Sequence, residues 1–267
     1  MIDIHHHCLP GVDDGPRDWA EAVDLCAMAR DAGIETIVAT PHVLRGRWQN
    51  TSRPKLEGLA ETLREKTGNN PRILLGSEYF FAHDMPEVLR TNGGIIPLAD
   101  SRYVLVEFAA HAIPPLVEQP FYHAQLEGWT PIIAHPERNS VFQSKPELLR
   151  RLIELGARTQ VTCDSVTGGF GPEAERASLE WITSGLVHIM STDAHNTSRR
   201  PPRTREAIER VQQVAGARVA EYLTRSNPAA VIEGRGLVWE PEPQVARSGG
   251  FLKRVRELFG HREDRSH

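Results

Sequence analysis

The sequence predicts an α/β protein built as a closed parallel barrel. Short β-rich apolar stretches alternate with stretches of helical period along most of the chain, the pattern of repeated βαβ units. The apolar stretches number seven, and most are apolar nearly throughout, as strands are when both faces are covered. Six of the seven deliver a carboxylate or an imidazole at or just beyond their C-terminal ends. Barrel active sites are supplied in that way, from the ends of several different strands. An open doubly wound sheet is the alternative, but neither GxGxxG nor GxxxxGKS/T follows the first strand, which removes its usual nucleotide-binding versions.

The first element is Ile2–Ile4, which runs at once into His5, His6 and His7 and then a Gly/Asp loop holding Asp14. Side chains alternate along a strand, so His5 and His7 share one face and His6 takes the other. Two imidazoles on one face at a strand end are half a metal site. From Arg17 the period becomes helical: Trp19, Val23, Cys26, Ala27 and Arg30 recur up to Gly33, with Pro16 near the first turn. Thr36–Thr40 is the second strand, ended by Pro41-His42. The unit then repeats. Glu57–Thr67 is helical, Ile73–Leu75 is a strand leading into Gly76-Ser77-Glu78, and His83–Arg90 is a short helix. Tyr103–Glu107 is a strand ending in a carboxylate, and Pro115–Leu126 is a helix after a double proline. Pro131–Ala134 is a strand running into His135-Pro136-Glu137-Arg138, and Pro146–Leu155 is a helix closed by Gly156. Thr159–Thr162, the helix Pro172–Ser184, the strand Val187–Ser191 with Asp193-Ala194-His195 after it, and the helix Arg203–Val214 complete the series. After Glu221 the regularity fades, and Asn227–Ile232 is at most a last helical turn or two. The expected plan is a barrel over 1–235, a linker over 236–250 that is richest in Pro and Gly from Trp239, and a tail over 251–267.

Lys and Arg number 31 against 35 Asp and Glu, a net charge of -4, which gives no support to nucleic-acid binding. Cys8, Cys26 and Cys163 are far apart and form neither a disulfide framework nor a CxxC. The opening residues lack a basic region followed by an apolar one, and no apolar run is long enough to span a membrane. A cytoplasmic enzyme is the expectation.

The ionisable groups at strand ends are His5, His7, Asp14, His42, Glu78, Glu107, His135, Asp193 and His195. Each has an ordinary alternative: Glu107 as a surface glutamate, His42 as a turn residue, Asp193 as a helix cap. Their shared placement is what points to metal. Nine N/O ligands exceed the needs of one ion, and without thiolates they suit Zn, Mn or Fe. A carboxylate shared by two ions favours in-line displacement at phosphorus, so phosphate ester hydrolysis is the expected chemistry. Arg138, and Arg199 or Arg200, could bind phosphate oxygens as a fork. His83 and His111, just past strand ends, are weaker candidates, while His6, His123 and His188 read as structural or surface.

These pieces resemble the PHP (polymerase and histidinol phosphatase) superfamily, and within it the bacterial manganese-dependent protein-tyrosine phosphatases of capsular and exopolysaccharide operons. The matching segments are IDIHHHCLPGVDDGP (Ile2–Pro16), IVATPH (Ile37–His42), LLGSE (Leu74–Glu78), VLVEF (Val104–Phe108), IIAHPERN (Ile132–Asn139) and STDAHN with RRPP (Ser191–Asn196, Arg199–Pro202). VDDGP together with HPER is much narrower than the opening D-x-H-x-H. The resemblance implies a distorted (β/α)7 TIM-like barrel (PHP fold) with three divalent metal ions, manganese foremost. By motif, His5, His7, Glu78 and Asp193 would hold the first ion, Glu78 would bridge to a second completed by Glu107 and His135, and Asp14, His42 and His195 would hold the third. Arg138 matches the phosphate-binding arginine of HxER, and Arg200 the second, five residues beyond the last metal histidine. His6 and Cys8 depart from the family, which usually has a small polar and an aliphatic residue there. The implied partner is the tyrosine-rich C-terminal tail of a bacterial tyrosine kinase that controls polysaccharide export. A small-molecule phosphatase acting on, for example, histidinol phosphate, a phosphodiesterase or exonuclease, and a non-catalytic kinase-docking module are the rival readings.

Within the tail, Phe251, Leu252, Val255, Leu258 and Phe259 recur at helical spacing among Lys253, Arg254 and Arg256. A short amphipathic basic helix of this kind can pack on the barrel, or make weak contact with a membrane surface or the kinase.

Overall fold

The computed structural model describes residues 1–241. Nine strands form: β1 Ile2–His6, β2 Thr36–Ala39, β3 His42–Val43, β4 Arg72–Leu75, β5 Glu78–Phe80, β6 Tyr103–Glu107, β7 Thr130–Ala134, β8 Arg158–Thr162 and β9 Ile189–Ser191. They pair in parallel as two ladders, β1-β2-β4 and β3-β5-β6-β7-β8-β9. The ladders are parts of one barrel. β2 and β3 are a single stave broken at Thr40-Pro41, and β4 and β5 a single stave broken at Gly76-Ser77. Hydrogen bonds carry across both breaks, from Gly76 N to Ala39 O at 2.9 Å and from Glu78 N to Pro41 O at 3.1 Å. The ring closes between β1 and β9 through the His6–Ala194 bridge and through His7 N to Ala194 O and Asp193 N to His5 O, both 2.9 Å. Seven staves result, as the sequence predicts, and closure excludes the open sheet.

Strand parity sorts the core. On β6, Val104 and Val106 join the large apolar cluster under the helices, whereas Tyr103 and Leu105 join a smaller one with Ile4, Val38, Ile132 and Ile189. Side chains from so many staves can meet only inside the barrel, so Glu107, next in the odd series, is aimed inward at the C-terminal end.

The helices depart from the sequence reading mainly at their ends. Trp19–Asp31 starts later than Arg17 because Asp18 caps it, accepting from Glu21 N at 3.0 Å. Arg53–Thr67 begins four residues before the predicted Glu57, while Glu118–Leu126 begins after the double proline, where Leu116 takes φ +58. Two short helices, Ser140–Ser144 and Cys163–Val166, are too brief to show a period. The region expected to lose regularity is instead helical from Ala217 to Ile232, through a π segment at Tyr222–Ser226. Trp239 stacks on Tyr222 at 5.4 Å, so the first residues read as linker lie against the barrel. The rest of the 236–250 linker and the 251–259 helix lie outside the described residues.

His188 gives the fold a pH dependence away from the candidate site. Thr159 N donates to its Nδ1 at 3.3 Å, and burial, with Arg158 nearby, lowers the imidazole to about 3. The unfolded chain takes up this proton near pH 6.5 and the native chain only near 3, so stability is full above 6.5 and falls as pH drops. The contribution approaches about 1.4 kcal/mol per pH unit. His188→Gln should therefore flatten the fall in melting temperature between pH 7 and 5. Parallel curves for variant and wild type would count against this role.

Candidate metal centre

All nine strand-end groups predicted from the sequence converge at one end of the barrel. His5 lies on β1, His42 opens β3, Glu78 opens β5 and Glu107 closes β6. His135 follows β7 at once and Asp193 comes two residues after β9, and both take left-handed backbone, φ +32 and +53. Such conformations are costly for residues with a Cβ and persist where the surroundings fix them, often at functional sites. Asp14 comes from the loop after β1. That loop folds back so closely that a Cβ on Gly15 would sit 2.6 Å from His7 O, which explains the glycine of VDDGP. Asp14 is 41% exposed on its side chain, while the other eight are buried or nearly so.

Glu78 is the hub. Its Oε2 lies 3.3 Å from His5 Nε2, 3.3 Å from His7 Nε2 and 2.9 Å from His42 Nδ1, and its Oε1 lies 2.9 Å from His135 Nε2. Asp193 Oδ1 faces His5 and His7 at 3.2 and 3.4 Å. Asp14 Oδ1 lies 3.3 Å from both His42 and His195. Ligand atoms within 4.8 Å of one another form four overlapping groups: His7, Asp14, His42 and His195; His5, Glu78 and His135; His5, His7 and Asp193; and His42, Glu78 and Glu107. These are the nine residues of the sequence reading, although the sharing is wider than its three sets.

The chemistry of the donors fits cations. His5 Nδ1 donates to Gln160 Oε1 and His7 Nδ1 to Asp13 Oδ2, both at 2.8 Å, which leaves their Nε2 lone pairs facing each other at 3.2 Å. Two lone pairs and two carboxylate oxygens at one point repel unless positive charge lies among them. Glu78 Oε2, Glu107 Oε2, Asp193 Oδ1 and His195 Nε2 are buried with no hydrogen-bond partner among the described residues. The proton affinities show the same demand. Burial alone would depress His42, yet Glu78 and Asp14 hold it at about 9. Burial, with Glu78 beside it, pushes Glu107 up to about 8. The cluster is therefore a divalent-metal site by composition, burial and orphaned acceptors. Gln160 and Asp13 were missed in the sequence. The available signals were a glutamine within the strand RTQVT and the first aspartate of VDDGP.

The two phosphate-binding candidates lie beside the cluster. Arg138 Nη1 donates to Asp193 Oδ2 at 2.7 Å, and Arg200 Nη2 donates to the same oxygen. Arg199 is exposed. A third arginine was not foreseen: Arg45 Nη2 lies 3.0 Å from Glu107 Oε1, and its guanidinium sits 5.6 Å from the Trp48 ring. Arg45, Arg138 and Arg200 line a pocket of about 220 Å³ over the cluster, with Phe108, Pro136 and Phe142 on its apolar side. His83 bonds Pro115 O and His111 bonds Ser140, so neither reaches the cluster. His6 is buried apart from it, and His123 is exposed.

The family profile "Capsular polysaccharide synthesis, CpsB/CapC" matches residues 1–233, a span that includes every group just described. The chain belongs to this family. The tyrosine-protein phosphatase YwqE of Bacillus subtilis (strain 168) is 34% identical over 263 residues, 97% of this chain and 99% of YwqE. The tyrosine-protein phosphatase CpsB of Streptococcus pneumoniae is 30% identical over 239 residues, 87% of this chain and 98% of CpsB. A chain from the crystal structures of these two proteins, termed unique metal-dependent tyrosine phosphatases, superposes with a TM-score of 0.86 at 33% identity, covering 92% of this chain and 100% of that one. The fold is thus the PHP-type distorted barrel, with its metal-ligand clusters near the strand ends.

Proposed function

We infer that this protein is a metal-dependent protein-tyrosine phosphatase, acting in the cytoplasm on the tyrosine-phosphorylated C-terminal tail of a bacterial kinase that governs polysaccharide synthesis and export. The observation that carries the chemistry is the convergence of four carboxylates and five imidazoles, among which Glu78 Oε2, Glu107 Oε2, Asp193 Oδ1 and His195 Nε2 are buried without a hydrogen-bond partner among the described residues. Family membership supplies the substrate class.

Three divalent ions, manganese foremost, are assigned to the cluster. His5, His7, Glu78 and Asp193 would hold the first, Glu78, Glu107 and His135 the second, and Asp14, His42 and His195 the third. When bound, the ions lower the pKa of water and offset charge on the phosphoryl oxygens. The chain's own residues do the rest. Gln160 and Asp13 fix the tautomers of His5 and His7 so that Nε2 faces the centre. Arg138 and Arg200 bind the phosphoryl oxygens through planar forks. The apolar wall of Phe108, Pro136 and Phe142 suits the phenyl ring of the substrate. Cys8, Cys26 and Cys163 are all buried, and none begins a C-x5-R, so no phosphocysteine is assigned. Among the described residues no helix is long and apolar enough to cross a membrane.

The test is metal analysis of the purified protein together with phosphate release from a tyrosine-phosphorylated kinase tail. Manganese-dependent release, well above that from histidinol phosphate, is the expected result. Preference for histidinol phosphate, nuclease activity, or kinase binding without turnover at saturating manganese would each replace this reading with one of its rivals.

A further inference from the structure

Phe170 belongs to neither apolar cluster of the described residues, although it is a large, half-buried aromatic. Its partners are instead the two arginines. The Arg138 guanidinium carbon lies 3.6 Å from the Phe170 ring centroid, and that of Arg200 lies 5.7 Å from it. We propose that Phe170 is a positioning residue that holds Arg138 and Arg200 together in the orientation that receives a phosphoryl group. The proposal rests on the reading of those arginines as the phosphate-binding pair.

Both guanidiniums converge on one oxygen, Asp193 Oδ2. Two like charges so placed repel, and Asp193 holds each guanidinium by one nitrogen only, Arg138 Nη1 on Oδ2 and Arg200 Nη2 on Oδ2 and on the Asp193 carbonyl at 3.1 Å, which fixes a point of each guanidinium and not its plane. An aromatic face attracts cations through its quadrupole and fixes the plane of a stacked guanidinium. The stack matters because Arg138 Nε and Nη2 and Arg200 Nε are buried without a hydrogen-bond partner among the described residues. Unpaired buried donors are expensive, and a free side chain would turn them to water. Held in place, they are the unused N–H groups that an oxyanion with several oxygens can accept.

The platform itself is firmly built. Phe170 sits in the loop between the helices Cys163–Val166 and Pro172–Thr183. Gly168 N donates to Ser165 O at 3.2 Å, Gly169 N to Asp164 O at 2.7 Å, and Gly171 N to Gly168 O at 3.0 Å. A Cβ on Gly169 would lie 3.1 Å from Asp164 O, so the run of glycines lets the loop close tightly beneath the aromatic ring. A rigid loop presenting one aromatic to two guanidiniums is a support for the site, not for the core.

The test uses the full chain loaded with manganese and the variants Phe170→Ala, Phe170→Leu and Phe170→Tyr. Three quantities are read: the Kd of inorganic phosphate by calorimetry, manganese content, and kcat and KM for an aryl phosphate. Ala and Leu should weaken phosphate binding about tenfold, equivalent to about 1.4 kcal/mol, with manganese content unchanged. Tyr keeps the ring and should bind phosphate within about twofold of wild type, a shift well under 1 kcal/mol. If Leu matches wild type, apolar packing suffices and the proposal is overturned. It is also overturned if Ala loses manganese in place of phosphate affinity. Arg138→Ala and Arg200→Ala in the same assay separate the two levels. If they leave phosphate binding intact, the reading of the arginines fails. If they weaken it while Ala and Leu at position 170 do not, that reading stands and the Phe170 proposal alone fails.

Discussion

Glu78→Ala should abolish phosphatase turnover while leaving the barrel folded. Glu78 is in contact with His5, His7, His42 and His135, so in the proposed assignment its removal would take a ligand from more than one ion at once. Lewis-acid and nucleophile-generating effects of bound metal are worth several kcal/mol, so a loss of about a thousandfold or more in kcat/KM is expected. Manganese content should fall with activity. Glu107→Ala should cost less, because Glu107 belongs to one of the four ligand groups where Glu78 belongs to two. Melting without added metal should remain cooperative, because stability derives chiefly from apolar burial in the two clusters. Wild-type turnover by purified Glu78→Ala at limiting manganese would refute the assignment of the centre.

The second large effect is expected at the arginines. Arg138→Ala should lower kcat/KM for a phosphotyrosine peptide by about a hundredfold or more, the scale of losing a donor aimed at developing charge. Arg200→Ala should be similar or smaller, since its side chain is more exposed, 27% against 17%. Lysine at either position keeps the charge and loses the fork, so recovery should be partial. Because both arginines also hold Asp193 Oδ2, metal content must be measured beside the kinetics. Loss of rate with full manganese occupancy points to phosphoryl binding, and loss of both points to support of Asp193. Should Arg199→Ala prove the damaging change while both others are silent, the loop after His195 has been read in the wrong register.

The role of the apolar and basic residues over 251–259, expected from the sequence to form a helix, is tested by truncating the chain after Trp239. Unchanged hydrolysis of an aryl phosphate, with reduced binding to anionic vesicles or reduced activity on the membrane-bound kinase, is the outcome for a docking tail. A lower melting temperature or changed oligomeric mass, with unchanged vesicle binding, assigns the tail to packing.

The sequence by itself determined the seven staves and the nine strand-end groups. Local period reports which faces are apolar, and a polar residue at the end of an apolar strand has few places to go in a barrel. His5 and His7 could be paired from strand alternation alone, whereas Glu107 could be aimed inward only once the two apolar clusters showed which parity of β6 faces the barrel interior. Barrel closure decided the rest. It split two staves at Thr40-Pro41 and Gly76-Ser77, and it widened the bridging role that the family resemblance gives Glu78 into contacts with four histidines. It brought Gln160, Asp13, Arg45 and Phe170 to the site from a mid-strand position and three loops. Those contacts join residues up to 155 positions apart, as His5 and Gln160 are. Periodicity within one element says nothing about which loops meet at the barrel's end. The partner of each donor is fixed only when the ring closes and leaves no water to take its place.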